Sequence, residues 1–222
     1  MNKHIKIFVG GFGSGKTEIA INYSIYCRKS QDKVAIVDLD IVNPYFRTRE
    51  KRNALNLKGV KVVAPEGKLT YTDVPLISPE IKGLIQNPDY CLILDVGGDD
   101  VGTVVLGNFS YFIKDLDYEM LMVINSYRPF TQTVPQIKQM ARDIENTSRL
   151  KINGIVSNPN LSSQTDEKII KHGDIVIRQA AQEMRLPIKF LCIDERFSQK
   201  LKTDNFKEPI FNIKSFMKLP WE

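Results

Sequence analysis

The sequence predicts a three-layer, doubly wound α/β domain with a mostly parallel sheet covered by helices on both faces. Three observations predict it. Short apolar runs alternate with stretches of helical character, the pattern of a parallel sheet buried on both sides. A glycine-rich loop joins the first run to the first helix. The strong runs end, one after another, in glycine or a polar residue: Gly10, Asp38, Asp95, Asn125, Asn158 and Asp194. In open parallel sheets the ligand crevice lies outside the carboxyl ends of the strands, so these positions converge on one edge.

The elements follow in order. Six strong apolar runs, Ile5–Val9, Val34–Val37, Cys91–Leu94, Met120–Ile124, Ile152–Val156 and Phe190–Ile193, read as strands, with Val60–Ala64 as a weaker seventh. Lys16–Lys29 reads as the helix that leaves the glycine loop. Pro44–Leu57 follows an Asn43 cap and stops before Gly59, and Ser78-Pro79-Glu80 opens a short helix. Gln132–Asn146 and Asp166–Met184 are longer, with Pro135 and Gly173 interrupting their patterns. The segment from Pro65 to Pro75 reads as a surface excursion, and no internal repeat is present.

Composition narrows the function classes. With 222 residues, 42% hydrophobic and 26% charged, the chain reads as a single domain spanning 1–222. A net charge of +5 is diffuse along the sequence, which argues against nucleic acid as a partner. Cys27, Cys91 and Cys192 are far apart in apolar surroundings and form no C-x-x-C pair, so they read as reduced core thiols. No signal stretch and no apolar run of about 18 residues occurs, so the expected location is the cytoplasm.

Gly10-Gly11-Phe12-Gly13-Ser14-Gly15-Lys16-Thr17 matches G-x-x-x-x-G-K-[ST], between a predicted strand and a predicted helix as that motif requires. Glycines allow the tight turn that points successive N–H groups at phosphate oxygens, and the helix N-terminus adds about half a positive charge. Lys16 is placed to reach the β and γ phosphates, and the Thr17 hydroxyl to join a magnesium shell. Glu18 is counted with this nucleotide-binding segment. Magnesium takes oxygen ligands, and Asp95 at the end of a buried strand supplies one. Asp95 also begins D-x-x-G, whose Gly98 N–H is placed to meet the γ phosphate. Asp99 and Asp100 read as solvated loop or helix-cap residues. The expected cofactors are ATP or ADP with Mg2+.

The glycine loop, Asp38-Leu39-Asp40 after the second strand, the later D-x-x-G and Asn158-Pro159 together resemble the MinD/ParA/CobQ/CobB group, of the SIMIBI class of P-loop NTPases. The likeness runs in order from Ile5 to about Asp194. It implies a switch-type ATPase in which Asp38 helps hold magnesium through water and Asp40 orients the attacking water. Composition and spacing alone say only that one of these carboxylates lies near the phosphates. The sequence departs from the group at Gly11, where many MinD and ParA proteins carry a lysine that reaches across a dimer. Arg47, Arg49, Lys51 and Arg52 are candidates to replace it, although for each residue singly a place on a solvated helix face is the stronger reading.

Three functions stay open: an ATPase that passes a shape change to a protein partner, as a monomer or a homodimer; a small-molecule kinase or ligase; and a nucleotide sensor or DNA-partition-like binder. The base reading is adenine. GTP-specific members of the wider class usually carry N-K-x-D or T-K-x-D after a late strand, and this chain has Ser157-Asn158-Pro159-Asn160. The Asn158 amide suits the adenine edge, with the loop around Asp194 closing the other side. In the tail, Phe206, Ile210, Ile213 and Met217 have helical spacing. That pattern fits either a membrane-seeking amphipathic helix or a last segment packed on its own domain, the second being the stronger reading because Pro220 and irregular apolar placement weaken the helix.

Overall fold

The computed structural model describes residues 4–40, 51–64, 78–98, 100–198 and 206–216. Its eight described strands are β1 (Ile5–Val9), β2 (Val34–Asp38), β3 (Val60–Val63), β4 (Cys91–Asp95), β5 (Tyr118–Ile124), β6 (Gly154–Ser157), β7 (Ile188–Asp194) and β8 (Ile210–Ile213). They form one sheet in the order β3-β2-β4-β1-β5-β6-β7-β8. Every neighbouring pair is parallel. The helices are α1 (Lys16–Cys27), α2 (Arg52–Asn56), α3 (Pro79–Gln86), α4 (Asp100–Ile113), α5 (Val134–Ser148), α6 (Glu167–Met184) and α7 (Glu195–Ser198).

Period-two alternation sends successive side chains of each strand to opposite faces, and both faces are apolar because both are covered. Ile5, Ile7 and Val9 of β1 join the core beneath α3, α4, α5 and α6. Phe8 joins the core beneath α1 and α2, with Ile36 and Ile93. This is the three-layer α/β arrangement expected. β1 lies between β4 and β5 where the winding changes direction, so the loop that leaves it opens at the topological switch point.

Local chemistry explains the helix ends. Thr133 and Gln136 close a capping box at the start of α5, and Pro135 falls in the first turn, where its missing N–H costs no hydrogen bond. Asp166 caps α6 by accepting from Ile169 N. Pro79 opens α3 behind Ser78.

Two elements differ from expectation. α4 was not anticipated, because Gly102 and Gly107 break its helical signal. Both glycines are contact points: a Cβ on Gly102 would lie 2.6 Å from the Gly97 Cα, and one on Gly107 would lie 2.7 Å from the Thr147 carbonyl oxygen. Within the tail, Ile210–Ile213 is a strand. β8 pairs with β7 in parallel, and Phe206 and Ile210 pack with Leu191 and Ile193. The helical spacing was coincidental, since Ile210 and Ile213 sit at the two ends of a four-residue strand against β7. No described helix is long and apolar enough to cross a membrane. Asn43, Pro44, Arg47, Arg49, Asp99, Met217, Pro220 and the Pro65 to Pro75 segment lie outside the described residues; Lys51 precedes α2 and Arg52 opens it, with Arg52 exposed.

Candidate functional site: a phosphate loop at the switch point

β1 delivers Gly10 to the carboxyl edge of the sheet, and the chain turns through three left-handed glycines, Gly10 (φ 140), Gly13 (φ 72) and Gly15 (φ 94). Space is as tight as geometry: a Cβ on Gly10 would lie 2.3 Å from the Val123 carbonyl oxygen of β5. Lys16, the first residue of α1, is buried, and its Nζ donates to the Gly11 carbonyl at 2.9 Å. The ammonium is therefore held at the mouth of the loop. Gly98 of the D-x-x-G segment lies directly against it. A Cβ there would sit 2.7 Å from Lys16 Nζ and 2.8 Å from the backbone nitrogen of Phe12. The two glycine segments thus meet face to face.

The acidic residues are assembled by strand register. Asp38 pairs with Asp95 across β2 and β4, and Asp95 pairs with Phe8 across β4 and β1. Residues paired in register share a face, and Phe8 belongs to the α1 side. Both carboxylates are therefore buried on the face that carries the N-terminus of α1, with Thr17 in its first turn. Asp40 N donates to Asp38 Oδ1 at 3.0 Å, which turns the chain after β2 and keeps Asp40 buried beside the edge. Among the described residues no group of three or more His, Cys, Asp or Glu side chains is gathered for a metal. Two buried carboxylates with a hydroxyl nevertheless suit Mg2+, which prefers oxygen ligands and keeps waters and phosphate oxygens for the rest of its shell. Bound there, the ion would neutralise charge on the phosphates.

Several expected contacts are arranged differently. Asn158 is buried, and its Nδ2 donates to the Ser14 carbonyl at 2.7 Å. Its amide braces the loop. Pro159 packs on α6: a Cβ on Gly173 would lie 2.6 Å from the Pro159 Cβ, which explains a glycine in mid-helix. Glu18 turns away from the loop, and its two carboxylate oxygens each accept from Phe216 N at 3.0 Å, pinning the chain after β8. Asp194 accepts from the backbone and the guanidinium of Arg196. Burial raises its carboxyl, but the Arg196 hydrogen bonds outweigh burial and hold it below the usual value. The Asp194 carboxylate is thus committed to its own loop.

Sequence reasoning passed over the segment after β5. Asn125 Oδ1 accepts from Tyr127 N and Asn160 N, and its Nδ2 donates to the Asn160 carbonyl, so it links the loops after β5 and β6. Thr131 Oγ1 donates to the Asn125 carbonyl. From this knot Arg128 reaches the phosphate loop, its Nε donating to the Gly13 carbonyl at 3.1 Å. The strand-end asparagine was the available signal; the residue three places later carried none.

A cavity of about 350 Å3 opens beside the loop, lined by Gly10, Gly11, Gly97, Gly98, Thr103 and residues of α5 that include Met140 and Asp143. Met140 covers the site of the missing lysine: a Cβ on Gly11 would lie 2.9 Å from its Cε.

No protein-family model matches the sequence, and no curated protein matches it. Solved structures do resemble it. The signal recognition particle 54 kDa protein from Aeropyrum pernix K1, in complex with GDP, has a TM-score of 0.56 at 19% identity over 84% of this chain and 40% of its own. The cell division protein FtsY from Thermotoga maritima has a TM-score of 0.57 at 18% identity, covering 86% and 62%. FlhF complexed with GTP and Mg2+ has a TM-score of 0.56 at 13% identity, covering 86% and 66%. At such identities the likeness is one of fold alone: a three-layer α/β P-loop architecture. The chain spans less than two thirds of the length of each of these structures.

Proposed function

We propose that this protein is a magnesium-dependent ATP-binding switch that hydrolyses ATP and passes the resulting change of shape to a protein partner. The observation that carries the reading is the meeting of Lys16, Gly98 and the loop backbone at one point, with the register-paired Asp38 and Asp95 on the α1 side. The loop amides and α1 attract phosphate, Lys16 offsets its charge, and Thr17, Asp38 and Asp95 would hold the ion. In this reading Asp40, buried beside Asp38, would orient the attacking water. Gly98, in contact with the ammonium, would register whether a γ phosphate is present and move the segment leading into α4. That helix carries exposed Val101 and Val104, an apolar face suited to a protein partner.

Adenine is preferred in this reading because Ser157-Asn158-Pro159-Asn160 lacks the aspartate of an N-K-x-D or T-K-x-D segment and the Asp194 carboxylate is engaged by Arg196. The similar structures with GDP or GTP bound make the opposite outcome a real test. Titration calorimetry with Mg2+ should give tighter binding of ATP than of GTP, and equal or tighter GTP binding would overturn the base assignment. Asp40→Ala should keep ATP affinity within about threefold and lose phosphate release at least tenfold; turnover like the parent's would remove Asp40 from catalysis.

One observation favours a second reading, phosphoryl transfer to a small acceptor: the cavity beside Gly10, Gly11 and Gly98 is the right place for one. ATP consumption that rises with an added acceptor panel, without matching phosphate release, would replace the switch by a kinase.

A further inference from the structure

We propose that Arg128 is a second phosphate-binding cation of this site, acting within the same chain alongside Lys16. The inference rests on the nucleotide reading above and adds a residue that the motifs do not contain.

The placement is built, although the side chain is exposed. Arg128 N donates to the Asn125 carbonyl at 3.0 Å, and the Arg128 carbonyl accepts from Thr131 N at 3.3 Å and Thr131 Oγ1 at 3.1 Å. Tyr127, next to it, donates its hydroxyl to the Ile169 carbonyl of α6 at 2.7 Å. The backbone at Arg128 is thus tied to β5, to the loop after β6 and to α6. From that base the side chain lies against Gly13: a Cβ on Gly13 would sit 3.0 Å from Arg128 Nε and 3.3 Å from both Cδ and Cζ. Both this close approach and the positive φ at position 13 favour a glycine there.

A guanidinium is a planar fork, so fixing Nε fixes the direction of the rest. Nε serves the Gly13 carbonyl. Among the described residues, Nη1 and Nη2 meet no carboxylate and make no hydrogen bond. Four N–H donors and a full positive charge remain at the rim of a loop whose backbone is shaped for phosphate. Other arginines show the contrast: Arg178 spends its guanidinium on Asp174 and Glu208, and Arg196 spends its own on Asp194. A charge-assisted contact to phosphate is about twice as strong as a neutral one, so Arg128 adds affinity that a brace of the Gly13 carbonyl alone would not.

The test compares Arg128→Gln, which keeps an N–H donor for Gly13 but removes the charge, with Arg128→Lys, which keeps the charge. Calorimetry uses MgATP and MgADP, with thermal melts as control. Expected for Arg128→Gln is a loss of about tenfold in ATP affinity, a smaller loss for ADP, and an unchanged Tm, with Arg128→Lys recovering most of the ATP affinity. ATP affinity in Arg128→Gln equal to the parent's overturns the proposal. So do equal losses in both variants with a lowered Tm, the mark of a structural brace. A parent that binds no nucleotide overturns the nucleotide reading and this inference together, whereas a parent that binds while Arg128→Gln is silent overturns this inference alone.

Discussion

The two edges of the sheet handle buried charge in opposite ways. At the amino edge, Lys6 of β1 and Glu119 of β5 are register partners with a 2.6 Å ion pair, and Lys189 of β7 adds a second contact to the same carboxylate at 2.8 Å. Charge there is neutralised by side chains within the domain. Burial raises the Glu119 carboxyl, and the hydrogen bonds from Lys189 and Lys6 outweigh that and hold it below its ordinary value. At the carboxyl edge, Lys16, Asn158 and Arg128 direct donors to the carbonyls of Gly11, Ser14 and Gly13, and Asp38 accepts from Asp40 N. There, polar side chains shape backbone. The comparison teaches that burial of charge does not by itself mark a site. A charge matched by its neighbour reads as architecture, and one spent on the form of a loop reads as preparation for a ligand.

Substitutions at the two edges should have opposite effects. The largest effect is expected from Lys16→Ala, which should weaken MgATP binding by roughly a hundredfold or more while leaving the Tm of the protein alone nearly unchanged. Calorimetry beside a thermal melt checks it, and ATP binding like the parent's would sink the phosphate-loop reading.

Glu119→Gln should do the reverse. It strands two lysine ammonium groups at the amino edge, costing about 3 kcal/mol and lowering Tm by roughly 6–12 °C, with ATP affinity intact. The pH dependence has a definite sign. Because the folded carboxyl lies below its ordinary value of 4.5, its contribution is complete above that value and is lost as pH falls through the lowered folded value. Urea melts of parent and variant should therefore converge as the pH falls below 4.5; a gap that widens with falling pH would contradict the assignment.

A smaller loss, about tenfold, is expected from Asn158→Ala, since one buried hydrogen bond to the loop disappears. ATP and GTP should suffer equally if the residue is a brace. A selective loss of ATP would restore it as a base reader. The smallest change is expected from Glu18→Gln, which weakens the contact with Phe216 N by about 1 kcal/mol or less and leaves nucleotide binding alone; a tenfold change in ATP affinity would return Glu18 to the site.

What could be read from the sequence was what is encoded locally. β1, the glycine loop and α1 are contiguous, and each glycine of the loop answers a local demand for positive φ or close approach. The carboxylates Asp38 and Asp95 were legible as strand ends because a parallel sheet brings all its carboxyl ends to one edge. α4 was hidden by Gly102 and Gly107, whose reason is contact with Gly97 and Thr147, and β8 was hidden because a four-residue strand has too few residues to show a period.

The sequence by itself determined the phosphate loop and the layered fold, since both follow from short-range periodicity and from residues adjacent in the chain. Only the tertiary structure decided the partners of single side chains. The Asn158 bond to Ser14 spans 144 residues, the Arg128 bond to Gly13 spans 115, and the Glu18 bond to Phe216 spans 198. No local preference selects such partners. They are chosen by which strand ends the sheet order brings together, and an amide or guanidinium set at that edge donates to whichever carbonyl the loop has turned toward it.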